Sequence, residues 1–121
     1  MKKSILVIED DEFFRELISK KLVLSGFSVL EVADGPKGLE QVDESAPDLI
    51  ILDLLLPEPD GFEILATLKS NPKTSSIPVV IVSNLDAKED IERGLKLGAS
   101  DYLVKSQFAS DEIVAKIKSF I

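Results

Sequence analysis

The sequence contains no cysteine and no histidine. Without cysteine the chain can form neither a disulfide nor a thiolate metal site. Without histidine it lacks the usual general base, the usual transition-metal ligand and any phosphohistidine. Its apolar runs are also shorter than the roughly 20 residues that a membrane-spanning helix requires. These absences exclude thiol and histidine chemistry, and they predict a soluble cytoplasmic protein with no membrane partner.

Positive charge is also scarce. The sequence has 14 lysine and arginine residues against 22 acidic residues, which gives a net charge of −8. An acidic protein does not attract phosphate backbones, so we expect no direct binding of nucleic acid. Most of the acidic side chains are interpreted as solvated surface. A length of 121 residues is typical of one domain, predicted here over residues 1–121.

Apolar runs alternate with amphipathic stretches along the chain. Continuous apolar runs indicate strands of a parallel sheet covered on both faces, and apolar residues at helical spacing predict helices. The predicted strands span 4–8, 27–32, 49–52, 77–83 and 101–105. The predicted helices lie within 11–26, 34–48, 62–71, 86–98 and 110–121. Asp86 with Glu89, in capping-box spacing, and Ser110 are predicted to cap the last two helices.

This alternation predicts a (βα)5 protein of the α/β class, with a doubly wound five-stranded parallel sheet and helices on both faces. In such sheets ligands bind at the carboxyl ends of the strands. Acids stand at two of these predicted ends, Glu9 and Asp10 after the first strand and Asp53 after the third. Two carboxylates about 4 Å apart repel by roughly 4 kcal/mol at an effective dielectric constant of about 20, so three of them require protons or a cation. Oxygen-only ligands favour a hard ion, and Mg²⁺ is the best match.

Two further polar residues stand at predicted strand ends, Ser83 after the fourth strand and Lys105 after the fifth. An ionised aspartate such as Asp53 can attack phosphorus and form an aspartyl phosphate. Phosphoryl transfer needs mainly positioning, a metal and cations on the phosphoryl oxygens, which Lys105 and the Ser83 hydroxyl can supply. Taken singly, an acid here is often a helix cap, a serine a turn residue and a lysine a solvated charge.

Four segments together resemble the receiver domain of bacterial two-component response regulators, similar to the single-domain chemotaxis regulator. They are ILVIEDD (5–11), LDLLLPEPDGFE (52–63), VVIVSNL (79–85) and GASDYLVK (98–105). The resemblance covers essentially the whole chain and implies a flavodoxin-like fold with strand order 2-1-3-4-5. It also implies that Asp53 is the phosphoacceptor, and that Mg²⁺ is held by Glu9, Asp10, Asp53 and the backbone carbonyl of Leu55.

The resemblance further implies that Ser83 and Lys105 bind the phosphoryl group, that Ser83 and Tyr102 form the switch, and that Phe14 contacts the phosphodonor. The expected partners are a histidine kinase or phosphotransfer protein, and a downstream effector or an output domain outside this sequence. A weak dimer through the fourth helix, fifth strand and fifth helix is a further expectation. The domain is not expected to be an enzyme beyond its own phosphorylation and slow dephosphorylation. Asn84 and Ser106 depart from the family pattern, which puts the switching behaviour in question.

Three other functions are compatible with parts of this pattern. A phosphorylation-independent interaction module on the same fold is the first. A Mg²⁺-dependent phosphatase with an aspartyl nucleophile is less favoured, because such enzymes typically carry a second aspartate where this chain has Leu55. A nucleotide-binding protein is disfavoured because the first strand is followed by neither GxxxxGK[ST] nor GxGxxG.

Overall fold

The computed structural model describes residues 2–121, and its core is one parallel sheet. The strands are β1 (Ser4–Ile8), β2 (Ser28–Val32), β3 (Leu49–Leu52), β4 (Val79–Ser83) and β5 (Asp101–Val104). Their order is β2-β1-β3-β4-β5, and every neighbouring pair is parallel. The predicted α/β class and strand order are therefore confirmed.

A helix follows each strand. The helices are α1 (Glu12–Leu24), α2 (Gly35–Ser45), α3 (Gly61–Ser70), α4 (Lys88–Lys96) and α5 (Ser110–Lys118), and a short 3₁₀ helix spans Lys105–Gln107. Among residues 2–121, no helix combines the length and the apolar character that crossing a bilayer requires.

The sheet separates two apolar layers. Alternate residues of β1 point to opposite faces, so Leu6 and Ile8 belong to one layer while Ile5 and Val7 belong to the other. The first layer includes buried residues of α2 and α3, and the second includes those of α1 and α5. The central strands are buried on both faces, which explains their unbroken apolar sequences.

The predicted caps of the last two helices are wrong. The backbone is still extended at Ala87, so α4 begins at Lys88 and Asp86 lies too far upstream to cap it. Ser110 is the first residue of α5 rather than its cap. The Glu112 carboxylate reaches back instead and accepts the N–H of Ala109 at 2.8 Å. At α1 the cap is Asp11, whose carboxylate accepts the N–H of Phe14 at 3.3 Å.

Candidate functional site

Three acids meet at the carboxyl edge of the sheet. β1 pairs with β3 so that Ile8 lies opposite Leu52, and the next residue of each strand is Glu9 and Asp53. The N–H of Asp53 donates to the Ile8 carbonyl at 3.0 Å, which fixes the two chain segments side by side. One carboxylate oxygen each of Glu9, Asp10 and Asp53 lies within 4.8 Å of the other two. Glu9 and Asp53 are buried, whereas Asp10 is exposed.

Lys105 supplies a positive charge to this acidic cluster. Its ammonium lies 2.6 Å from a Glu9 oxygen and 3.3 Å from Asp53 Oδ2. It also lies 4.4 Å from the centre of the Phe14 ring, within cation–π distance. The end of β5 thus brings a cation to the acids of β1 and β3, as the sequence predicted.

The charges of the cluster shift one another's ionisation. Burial raises the pKa of Glu9 from 4.5 to about 7; the hydrogen bond from Lys105 opposes this shift and the charge of Asp53 adds to it. Burial by itself would lower the pKa of Lys105, but the hydrogen bond to Glu9 and the charge of Asp53 outweigh it, so the pKa of Lys105 is raised. One ammonium therefore faces three acids. The excess of negative charge on oxygen ligands fits a hard divalent cation.

The segment after β3 shapes the surroundings of Asp53. The N–H of Leu55 donates to Asp53 Oδ1 at 3.1 Å, and the Leu55 side chain is half exposed. The N–H of Gly61, at the start of α3, donates to the carbonyl of Leu54 at 3.1 Å and closes the loop. This loop fixes the orientation of the Asp53 carboxylate.

Ser83 and Tyr102 lie on the neighbouring strands. Ser83 ends β4 and is fully buried, and its Oγ accepts the N–H of Leu85 at 3.4 Å. The Tyr102 ring points inward, and its hydroxyl donates to the Leu85 carbonyl at 2.7 Å. Burial, and then the negative charges of Asp90, Asp53 and Asp86, raise the pKa of Tyr102 to about 12. Asn84, between these two contacts, is exposed.

Known proteins share the fold and the sequence family of this chain. A sequence profile described as the response regulator receiver domain matches residues 5–118. The chain belongs to this family. The receiver domain is 40% identical over 119 residues to the phosphate regulon transcriptional regulatory protein PhoB of Klebsiella pneumoniae, an alignment that covers 98% of this chain and 52% of PhoB. The chain spans about half the length of the curated relatives it matches.

Solved structures of similar receiver domains include one phosphorylated form and one Mn²⁺-bound form. The phosphorylated cyanobacterial phytochrome response regulator RcpA superimposes with a TM-score of 0.87 at 33% identity, covering 99% of this chain and 94% of RcpA. The Mn²⁺-bound form of response regulator Rcp1 superimposes with a TM-score of 0.83 at 30% identity, covering 98% of this chain and 93% of Rcp1.

The two adjacent phenylalanines of the receiver domain differ in their surroundings. Phe14 is half-buried, beneath the Lys105 ammonium and against the layer that contains α1 and α5. Phe13 is 78% exposed. Phe14, which the resemblance assigns to contact with the phosphodonor, is thus partly accessible, and its ring also contacts the Lys105 ammonium.

Arg15 is a further residue of the site, beside those that the sequence predicts. Its guanidinium donates to the backbone carbonyl of Glu9 at 2.9 Å and forms an ion pair with Glu31 at 3.5 Å. It therefore fixes the backbone of the residue that carries the buried carboxylate. Its spacing of six residues from Glu9 matches no motif, so the sequence offers no signal for this contact.

Proposed function

We propose that this receiver domain is a phosphoacceptor signalling domain, with Asp53 as the residue that is phosphorylated. The observation that carries the proposal is the buried Asp53 carboxylate, which lies beside two further acids and 3.3 Å from a lysine ammonium. A carboxylate oxygen attacks the phosphorus of a phosphohistidine on a kinase or phosphotransfer protein. The P–N bond breaks, and its electron pair stays on the histidine nitrogen.

The acidic cluster fits a divalent metal, and we propose that Mg²⁺ is held by Glu9, Asp10, Asp53 and the Leu55 carbonyl. Bound there, the ion would neutralise charge on the phosphoryl oxygens. The Lys105 ammonium already pairs with the Asp53 carboxylate. When that carboxylate carries a phosphoryl group, the same ammonium can pair with a phosphoryl oxygen. The buried hydroxyl of Ser83 supplies a second donor.

We propose that phosphorylation biases the face formed by α4, β5 and α5 toward a second conformation. The route runs from Ser83 to Leu85, whose carbonyl holds the Tyr102 hydroxyl. The switched face would then control an effector, an output domain or a weak dimer. The net charge of −8 disfavours nucleic acid as the direct ligand of this domain. We assign Phe14, beside the acidic cluster, to contact with the phosphodonor.

Treatment with a small phosphodonor and Mg²⁺ tests the proposal. We expect intact-protein mass spectrometry to show a gain of one phosphoryl group, and peptide analysis to place it on Asp53. The control Asp53→Asn keeps the size of the side chain and removes the nucleophile, so it gains nothing. A parent protein that stays unmodified would favour a phosphorylation-independent interaction module. Release of free phosphate at many turnovers would favour a phosphatase.

Affinity for Mg²⁺ is expected to rise about tenfold between pH 6 and pH 8. Since the pKa of Glu9 is about 7, most Glu9 carboxyls are protonated at pH 6 and ionised at pH 8, and a metal competes with that proton. Titration calorimetry at both pH values measures the change. Glu9→Gln should bind more weakly and lose the pH dependence. Equal affinity of the parent at both pH values would contradict the role of Glu9.

Slow loss of the phosphoryl group is expected from two leucines. The Leu55 side chain is half exposed beside the acceptor, and Leu85 lies two residues after Ser83. An apolar side chain cannot orient an attacking water by hydrogen bonding. Leu55→Asn and Leu85→Glu should each shorten the lifetime of the aspartyl phosphate, measured as the decay of the phosphorylated mass. Decay as fast in the parent as in both variants would refute the idea.

A further inference from the structure

Helix α4 contacts the tyrosine of β5 through a glycine. Of the α4 residues, all of which the structure describes, only Gly94 is buried. A Cβ atom at this position would lie 2.6 Å from Ile81 Cδ1, and 3.1 and 3.3 Å from two carbons of the Tyr102 ring. The distance to Ile81 is far below ordinary carbon–carbon contact, and the two distances to the ring are a few tenths of an ångström short of it. A glycine inside a helix costs about 1 kcal/mol relative to alanine, so α4 gives up stability for this close approach.

The inward ring of Tyr102 depends on that space. The ring fills the gap between the sheet and α4, and its hydroxyl reaches the Leu85 carbonyl at 2.7 Å. A Cβ at position 94 would press against the ring, and a side chain that extends beyond Cβ would need more of the space beside it. The Ile81 methyl is the end of a flexible side chain and can rotate away. The aromatic ring is rigid, so it relieves a small overlap by a slight shift and a larger one by turning as a whole about its side-chain torsions.

We propose that Gly94 is the positioning residue that sets the balance between the inward and outward orientations of Tyr102. Its missing side chain makes the inward orientation available, and the hydrogen bond to Leu85 then holds it. A larger side chain at position 94 favours the outward ring in proportion to its volume. The consequence for signalling rests on the proposed function, because the route to Asp53 passes through Leu85 and Ser83. The effect of Gly94 on the ring can be measured in the unphosphorylated protein, where it does not depend on that route.

The chain provides its own reporter for this test, since it contains one tyrosine and no tryptophan. Protein labelled with 3-fluorotyrosine therefore gives one ¹⁹F resonance, which comes from Tyr102. We expect the parent resonance to be shielded from a soluble paramagnetic agent. In Gly94→Leu it should become accessible to the agent, and Gly94→Ala should give an intermediate, population-weighted signal.

Gly38→Ala is the matched control. Gly38 is also a buried helical glycine, and a Cβ there would lie 2.6 Å from Ile8 Cδ1, on the α2 side of the sheet. It should leave the Tyr102 resonance shielded. A folded Gly94→Leu protein with a parent-like, shielded resonance would overturn the proposal. If Gly94→Leu does not fold, Gly94→Ala decides, and an unchanged signal overturns the proposal equally.

Titration with beryllofluoride and Mg²⁺ separates this inference from the proposed function. In a Gly94 variant, the fraction of molecules with an inward Tyr102 ring is reduced. If it falls to about one tenth and the ring is fully coupled to the phosphoryl site, the apparent affinity of the variant for beryllofluoride should fall about tenfold. A parent that does not bind beryllofluoride would count against the proposed function. The ¹⁹F signal of the Gly94 variants would still decide whether this glycine positions Tyr102.

Discussion

Lys105→Met is expected to lower the free energy of unfolding by about 3 kcal/mol at pH 8 in metal-free buffer. The ammonium pairs with both buried carboxylates of the site, at 2.6 Å from Glu9 and 3.3 Å from Asp53. Removing it leaves two buried negative charges close together without a counter-charge. Methionine has a similar length and is unbranched, so the apolar packing of the lysine stem is largely retained.

The loss of stability in Lys105→Met should depend on pH and on Mg²⁺. Burial raises the pKa of Glu9 from 4.5 to about 7, and the hydrogen bond from Lys105 holds it below the value it would otherwise reach. A carboxyl whose pKa is raised in the folded state stabilises the fold at low pH and loses that contribution as the pH rises through about 7. Without Lys105 the pKa of Glu9 rises further, so Glu9 in the variant is protonated at pH 6 and carries no unpaired charge. The loss of unfolding free energy in the variant is therefore smaller at pH 6 than at pH 8. At pH 8, Mg²⁺ should recover much of the loss, because it replaces the missing cation.

Urea denaturation of the parent and the variant at pH 6 and pH 8, with and without Mg²⁺, measures these differences. Lys21→Met is the matched control, since the Lys21 ammonium lies 2.7 Å from Asp111, a carboxylate that is 85% exposed. An exposed ion pair of this kind contributes less than about 1 kcal/mol. Equal losses for the two variants would show that the charges at the site are not balanced by Lys105.

The β–α alternation could be predicted because each element carries its own signal. The run 49–52 is apolar throughout and is buried on both faces, as a central parallel strand must be. The order of the strands could not be predicted in this way. An apolar run indicates a strand but not its neighbours, so the order followed from the resemblance. The wrong cap at Asp86 has a related cause, because capping depends on the backbone at Ala87, which capping-box spacing does not reveal.

The acids of the site could be predicted because parallel strands bring their carboxyl ends to one edge. Glu9, Asp53 and Lys105 each follow a strand, so the topology alone places them near one another. Contacts between different layers could not be predicted. The approach of Lys105 to the Phe14 ring depends on how α1 packs beside the end of β5. The close fit of Gly94 against Tyr102 depends in the same way on the distance between α4 and the sheet.

Gly61→Ala is expected to lower the free energy of unfolding by about 3 kcal/mol and to displace Asp53. A Cβ on Gly61 would lie 2.5 Å from Leu54 Cα and closer still to the Asp53 carbonyl oxygen. Both atoms belong to the backbone of Asp53 and Leu54, so no side-chain rotation relieves the clash. The loop after β3 or the start of α3 must move, and the Asp53 carboxylate moves with it. Urea denaturation measures the stability, and the rate of modification by a small phosphodonor reports the displacement.

Gly35→Ala distinguishes this backbone clash from ordinary overpacking. A Cβ on Gly35 would lie 2.5 Å from Ile64 Cδ1 and 2.7 Å from Ile64 Cγ1, near the flexible end of a side chain that can adopt another rotamer. We expect that variant to lose about 1 kcal/mol and to keep the parent rate of phosphorylation. If Gly61→Ala were as stable and as reactive as Gly35→Ala, the loop would tolerate a side chain beside Asp53. The close packing of α3 against the backbone of Asp53 would then not be what fixes the Asp53 carboxylate.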